Sequence, residues 1–291
     1  ENHQYKTYNF TTETLGWKPT GWSTTYDKPR AIKVRVQQTI GNYGTKQITD
    51  ITITQNPGSQ NGGNNTFYQW GRKDALPGRD NLAPGSTYSF DNYDQGRSIE
   101  YVIQHPENMF TRKAVGIPSH WIAGNWCDAT YINLWSAGNT TMNYAVKPVV
   151  KTVYDPSPAG FKVPPTDAFT GFTTDGEEDI SGDKINCDVG NSGYIGQAYT
   201  DYYGYNFFRQ HSGYRSETVY FPASDYRSAV SGNLSFVEAG PTVGAGVDGR
   251  FWSAGLQYTQ SPSCLYFSSN QVRPKEGGIA ACGYSVRPVS E

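Results

Sequence analysis

The last apolar and polar positions of the chain alternate with a period of two, as they do in a strand with a buried face. Two sets of three side chains fall on opposite faces: Tyr284, Val286 and Pro288 on one, and Ser285, Arg287 and Val289 on the other. Terminal residues usually fray unless a sheet holds them. The pattern therefore predicts that residues 282–289 form a core strand and that residues 251–271 lie beside it.

The N-terminal part of the chain shows the same period twice. Residues 31–36 alternate apolar and charged side chains, residues 48–55 alternate similarly, and the turn formers of 41–44 lie between them. This arrangement predicts a hairpin in a small, sandwich-like β unit. Residues 56–65 are almost all turn formers and predict a linker. We expect a β-rich N-terminal segment with its linker over 1–63, and a ligand-binding domain over 64–291.

The second region mixes strand and helix patterns. Residues 67–74 begin it with an aromatic strand, and residues 220–227 and 263–268 predict further strands. Ile99, Val102 and Ile103 have helical spacing before Pro106, and a second short helix is expected after Pro165. Few short helices and long loops over a small sheet predict an α+β fold.

Composition narrows the function classes. The 291 residues carry a net charge of −2, and only 17% of them are charged, so neither a basic field for nucleic acid nor an acidic tail is present. No run approaches the roughly 20 apolar residues that span a bilayer. No signal peptide is visible after Glu1. The 22 Tyr and 32 Gly favour strands, turns and binding surfaces, and we expect a secreted or cell-surface protein.

Catalytic and metal-binding patterns are weak. The four histidines (His3, His105, His120 and His211) are scattered outside any nucleophile motif, and His105 is interpreted as a helix-end residue. The run Glu177–Asp179 is either a solvated loop or a calcium-binding loop. No clear acid pair for glycoside hydrolysis stands out. We expect no enzyme activity and no cofactor, with calcium kept as an alternative.

The cysteine spacing also argues against a zinc site, because no CxxC pair occurs. Cys264 and Cys282 flank a hairpin-like stretch and form the candidate disulfide. Cys127 and Cys187 are either a second pair or small buried apolar residues.

An ordered series of phrases in the second region resembles a known pattern. The phrases are Phe67–Asp74, Asn133–Gly138, Val153–Pro164, Phe221–Ala223, Gly249–Ala254 and Gly283–Val289. Over residues 65–291 the chain resembles the C-type-lectin-like domains, related to the formylglycine-generating-enzyme fold, of Bacteroidetes-type surface lipoproteins and fimbrillin-associated pilus-tip adhesins.

The resemblance implies a C-type-lectin-like α+β domain on a cell surface or pilus, with a protein or glycan ligand and other pilus subunits as partners. The chain departs from the pattern where Ser157 stands at the usual cysteine. The calcium signatures of sugar-binding lectins and the active-site cysteines of the enzymes are absent, so neither activity carries over.

Some proteins of this fold are targets of diversity-generating retroelements, which vary residues near the C-terminus. The candidate ligand-binding residues here fit the Asn, Tyr, Ser and Thr set that such variation produces: Tyr258, Thr259, Ser261, Ser263, Tyr266, Ser268, Ser269 and Asn270. Any polar binding loop would share this composition. Such side chains also supply the contacts that paratopes use.

Within this segment the alternation predicts that Leu265 and Phe267 point inward and that Tyr266 and Ser268 are exposed. Trp252 is interpreted as a core residue. A second aromatic cluster, 199–208, is either a stacking platform or a cover for the sheet, with cover favoured for Phe207 and Phe208. The chain is thus predicted to be an adhesin-type binding protein, with a structural pilus subunit or an unrecognised carbohydrate-active enzyme as alternatives.

Overall fold

The computed structural model describes the backbone of residues 30–40, 45–55 and 89 and most of the chain from residue 66 to residue 291. Within 66–291, the residues outside the described part are 77–88, 94, 112–124, 130, 142–147, 191–192, 197–198, 200–203, 210–216, 235–247 and 258–260. In the described part, no helix is long and apolar enough to cross a membrane.

Short strands dominate the described elements. The first nine elements are β1 (Arg30–Ile40), β2 (Thr45–Gln55), β3 (Phe67–Gln69), β4 (Ser89–Asp91), α1 (Ile99–Gln104), β5 (Asn108–Phe110), β6 (Phe161–Lys162), a 3-10 turn (Thr170–Phe172) and β7 (Gly204–Phe208). The remaining six are β8 (Thr218–Pro222), β9 (Gly249–Leu256), β10 (Pro262–Ser268), β11 (Gln271–Gly277), β12 (Gly283–Ser285) and β13 (Val289–Ser290).

The predicted α+β class is wrong, because the fold is β-rich. Strands account for 37% of the described residues and helix for 8%, and the strands form several small sheets. Helix α1 forms where predicted, starts at the Ser98 cap and ends at His105, just before Pro106. The second expected helix is only a 3-10 turn, Thr170–Phe172, in which Gly171 disfavours a longer helix.

The largest sheet has the strand order β11-β10-β9-β12-β3. Strand β10 pairs antiparallel with both β9 and β11, and β12 pairs parallel with β9 through Ser285 and Phe251. The C-terminal run therefore lies in the core beside β9, as predicted. It forms two short strands instead of one, and β13 pairs with β6. Pro288, which has no N–H to donate, lies in the break between them.

Both faces of this sheet are buried. On one face, Trp252 stacks on Tyr284 with ring centroids 4.1 Å apart, and Cys264 packs in the same cluster. On the other face, Phe251 stacks on Phe267 with centroids 6.2 Å apart. Trp252 is fully buried, which confirms its predicted core position. A sheet covered on two sides leaves only its edges and turns to meet a ligand.

All four cysteines are buried thiols that form no disulfide, so the predicted Cys264–Cys282 disulfide is wrong. Cys264 lies in β10 and Cys282 directly precedes β12, with β9 between these two strands. Two strand spacings amount to about 9.5 Å, whereas a disulfide needs Cα atoms within about 7 Å. Burial raises the pKa of the Cys264 thiol to about 12, which keeps it protonated at neutral pH.

The predicted N-terminal hairpin is confirmed. Strands β1 and β2 pair antiparallel over eleven residues each, with Val34 opposite Ile51. Residues 41–44 and the predicted linker 56–65 lie outside the described residues. The division of the chain at residue 63 stays a prediction.

Candidate ligand-binding surface

The structure separates the predicted ligand-binding residues into three groups. Ser269 and Asn270 are exposed in the β10–β11 turn, and Ser261 and Tyr266 are partly buried. Ser263 and Ser268 are buried, so the predicted exposure of Ser268 is wrong. The residues Tyr258 and Thr259 lie outside the described residues. The inward orientation of Leu265 and Phe267 is confirmed, since both are fully buried.

The burial of Ser263 and Ser268 follows from the position of β10 inside the sheet. Strand β10 has β9 on one side and β11 on the other, and side-chain layers cover both faces. The Ser263 hydroxyl has no hydrogen-bond partner, and the Ser253 hydroxyl donates to the Ser263 carbonyl at 3.0 Å. The side chains of Ser263 and Ser268 therefore have little surface open to solvent.

Tyr266 of β10 is partly buried and contacts charged and polar side chains of the neighbouring strands. Its ring lies between the guanidinium groups of Arg250, 4.6 Å from the centroid, and Arg273, 5.9 Å away. Its hydroxyl donates to Asp248 at 3.4 Å and accepts from the Gln271 amide at 3.2 Å. Burial, together with the Asp248 carboxylate, raises the pKa of Tyr266. Tyr266 is therefore a fixed part of the frame and offers only its outer edge to a ligand.

Arg250 links this tyrosine to the core. Its guanidinium also lies 4.7 Å from the Tyr226 ring and 5.5 Å from the Tyr284 ring, and it pairs with Asp248 at 3.3 Å. Cation–π contacts gain strength when they are desolvated, as here. The arrangement fixes one edge of the candidate surface to the buried sheet.

Two loops flank the exposed β10–β11 turn. A Cβ atom added to Gly182 would lie 3.5 Å from the Asn270 carbonyl oxygen, and one added to Gly196 would lie 3.9 Å from that of Ser269. The loop 180–182 carries Ile180 with 61% of its surface exposed, and the segment 193–196 carries Tyr194 with 76% exposed. Sequence reasoning missed both residues, because only the folded chain brings the two loops to the turn.

Asp179 anchors the first of these loops to the edge of the sheet. Its main chain exchanges two hydrogen bonds of 2.8 Å with Val272 of β11. Its carboxylate accepts from the Ser181 amide and hydroxyl, the Gly182 amide and the Lys184 amide, at 2.7 to 3.2 Å. Burial raises the pKa of Asp179, but these hydrogen bonds outweigh burial, and the net shift is downward.

The run Glu177–Asp179 is therefore not a uniformly solvated loop. The oxygens of Asp179 are already taken by main-chain and hydroxyl donors, whereas Glu177 and Glu178 remain more than half exposed. Among the described residues, no group of three or more His, Cys, Asp or Glu side chains is placed to hold a metal ion.

A cavity of about 400 Å³ opens beside β11, next to this loop. Its walls are Glu177, Glu178, Gln257, Arg273, Pro274, Lys275 and Glu276. Lys275 pairs with Glu177 at 3.4 Å, and Arg273 pairs with Glu276 at 3.0 Å and with Glu178 at 3.7 Å. The hydrogen bond from Arg273 to Glu276 raises the pKa of the arginine.

The cavity adjoins two of the predicted ligand-binding residues. Arg273 is the cross-strand partner of Tyr266, and the main-chain amide of Gln257 donates to the Ser261 carbonyl at 2.8 Å. The β11 surface, defined as the β10–β11 turn, the segments 177–184 and 193–196 and this cavity, is the candidate ligand-binding surface.

No protein-family model, curated protein or solved structure matches this chain. No family is shown. The resemblance to C-type-lectin-like domains stays a prediction that rests on the ordered phrases alone.

The second aromatic cluster supports the surface from below. Tyr199, Tyr205 and Phe207 are buried, and the Tyr205 hydroxyl donates to the Ser268 carbonyl at 3.0 Å. Phe207 stacks on Phe172 with centroids 4.1 Å apart, which confirms its role as a cover, and Phe208 is partly buried. Tyr202 and Tyr203 lie outside the described residues. The described tyrosines of this cluster are thus packing residues and not a stacking platform.

Proposed function

We propose that this protein is a non-covalent ligand-binding protein of the adhesin type, which recognises a protein or glycan on a cell surface through the β11 surface. The observation that carries the proposal is that two segments with an exposed large side chain, Ile180 in one and Tyr194 in the other, approach the exposed polar turn Ser269–Asn270 through Gly182 and Gly196. The proposal moves the recognition face away from the buried side chains of β10 to the edge of the sheet.

The chemistry of this surface suits recognition. Tyrosine offers a large, fairly rigid contact area and a hydroxyl, while serine and asparagine supply adaptable hydrogen bonds. An exposed isoleucine adds apolar area that gains free energy when a partner covers it.

The frame beneath the surface supports the same function. The turn follows a strand that is buried on both faces, and Asp179 fixes the neighbouring loop to β11 with main-chain hydrogen bonds. A surface that is ordered before binding loses less conformational entropy when the ligand arrives. We therefore expect a preformed site with small main-chain movement on binding.

The experiment is a screen of the full chain on glycan and protein arrays, followed by affinity measurements with two double variants. Ile180→Ala with Tyr194→Ala removes the exposed pair at the surface. Val153→Ala with Tyr93→Ala is the matched control, since these residues are also exposed and are not part of the β11 surface. We expect the first variant to lose at least about tenfold in affinity and the control to bind as the wild type does, with similar melting temperatures.

Two results would overturn the proposal. Equal affinity of both double variants for an array ligand would place the site elsewhere. Absence of any ligand on either array would remove the binding function and favour a structural subunit.

Diversification by a retroelement is a further part of the proposal. The exposed positions Ser269 and Asn270 can change without disturbing the core, whereas the buried Ser263 and Ser268 cannot. A near-copy of this coding segment beside a reverse transcriptase gene is the expected finding. Its absence from the neighbouring DNA would contradict this part alone.

A further inference from the structure

We draw no further inference here: the strongest candidate, the row of side chains across β9, β10 and β11 in which Arg250 and Arg273 flank Tyr266 and each keep a buried Nε atom without a hydrogen-bond partner, points to no ligand, because each guanidinium is already paired with a carboxylate and packed against the Tyr266 ring, and nothing in the structure shows what covers the row.

Discussion

Replacement of Asp179 tests how the candidate surface is held in place. Its carboxylate accepts four hydrogen bonds, and its side chain is almost fully buried. Asp179→Asn keeps an oxygen for the Ser181 and Gly182 donors but turns an amide toward the Lys184 N–H. Asp179→Ala removes all four acceptor contacts and leaves three main-chain amides and one hydroxyl without their partner.

The expected loss of stability follows from the number of hydrogen bonds that each variant loses. A hydrogen bond to a charged group contributes roughly 1.5 to 3 kcal/mol, and a buried donor left without an acceptor costs about 1 to 3 kcal/mol. We expect Asp179→Asn to lower the free energy of unfolding by about 2 kcal/mol. Asp179→Ala should lower it by about 4 kcal/mol, since water can reach part of the opened site. Amide exchange at Val272 should accelerate in both variants.

Asp175→Asn is the matched control in the same loop. The Asp175 side chain is 38% exposed and pairs with the Lys184 ammonium at 2.6 Å, and exposed ion pairs contribute little to stability. Urea unfolding followed by tryptophan fluorescence gives the free energy for each variant. The reasoning is refuted if Asp179→Asn is no less stable than Asp175→Asn, or if amide exchange at Val272 is unchanged.

Four further predictions test other parts of the structure. Because the pKa of Asp179 is depressed in the folded protein, its ionised carboxylate stabilises the fold above the unfolded pKa near 3.9, and this stabilisation is lost as the pH falls through the folded pKa. The urea midpoint should therefore fall less steeply between pH 6 and pH 2 in Asp179→Asn than in the wild type, and an equal fall in both proteins would contradict this. Gly249→Ala should lower the free energy of unfolding by about 3 kcal/mol, since the new Cβ would lie 2.0 Å from a Phe267 ring carbon. Gly171→Ala is the control, because its new Cβ would meet nothing within 4 Å, and equal melting temperatures of the two variants would exclude the clash. Ser263→Ala should leave stability within about 1 kcal/mol and ligand affinity unchanged, because the buried hydroxyl has no partner; a tenfold loss of affinity would restore Ser263 to the site. The four cysteines should resist a thiol reagent at pH 8 in the folded protein and react in guanidinium, and rapid labelling of the native protein would show that they are accessible.

The period-two patterns predicted strands well because alternation is a local property of the chain. Strand β10 and its inward residues Leu265 and Phe267 could be identified in this way. The same pattern could not show that a second layer, built around Trp252 and Tyr284, covers the opposite face. For this reason Ser263 and Ser268 were assigned to the surface although they are buried.

The helix content was overestimated for a related reason. Six residues with helical spacing did form α1, but a proline pair followed by threonine and aspartate formed only turns and one 3-10 segment. Local start signals indicate where a helix can begin, and they say little about its length when a glycine such as Gly171 follows within a few residues.

The candidate surface depended on contacts that no local pattern encodes. Ile180 lies in a polar, glycine-containing loop, and Tyr194 stands beside Ile195 between two glycines. Only the approach of Gly182 and Gly196 to the β10–β11 turn brings these two segments to the same turn. Asp179 belonged to a predicted acidic run, but its structural role is visible only from its four donors. A short glycine-bounded segment with large side chains, such as residues 193–196, is the signal that could have indicated such a surface.

The burial of both faces of the central sheet has an evolutionary consequence. A substitution in β9 or β10 must suit two packed layers at once, as the Gly249 and Phe267 pair illustrates. A substitution at Ser269, Asn270 or Tyr194 has no such constraint. Descendants of this protein could therefore exchange one partner for another by changing a few rim positions, while the interior sequence stays almost constant.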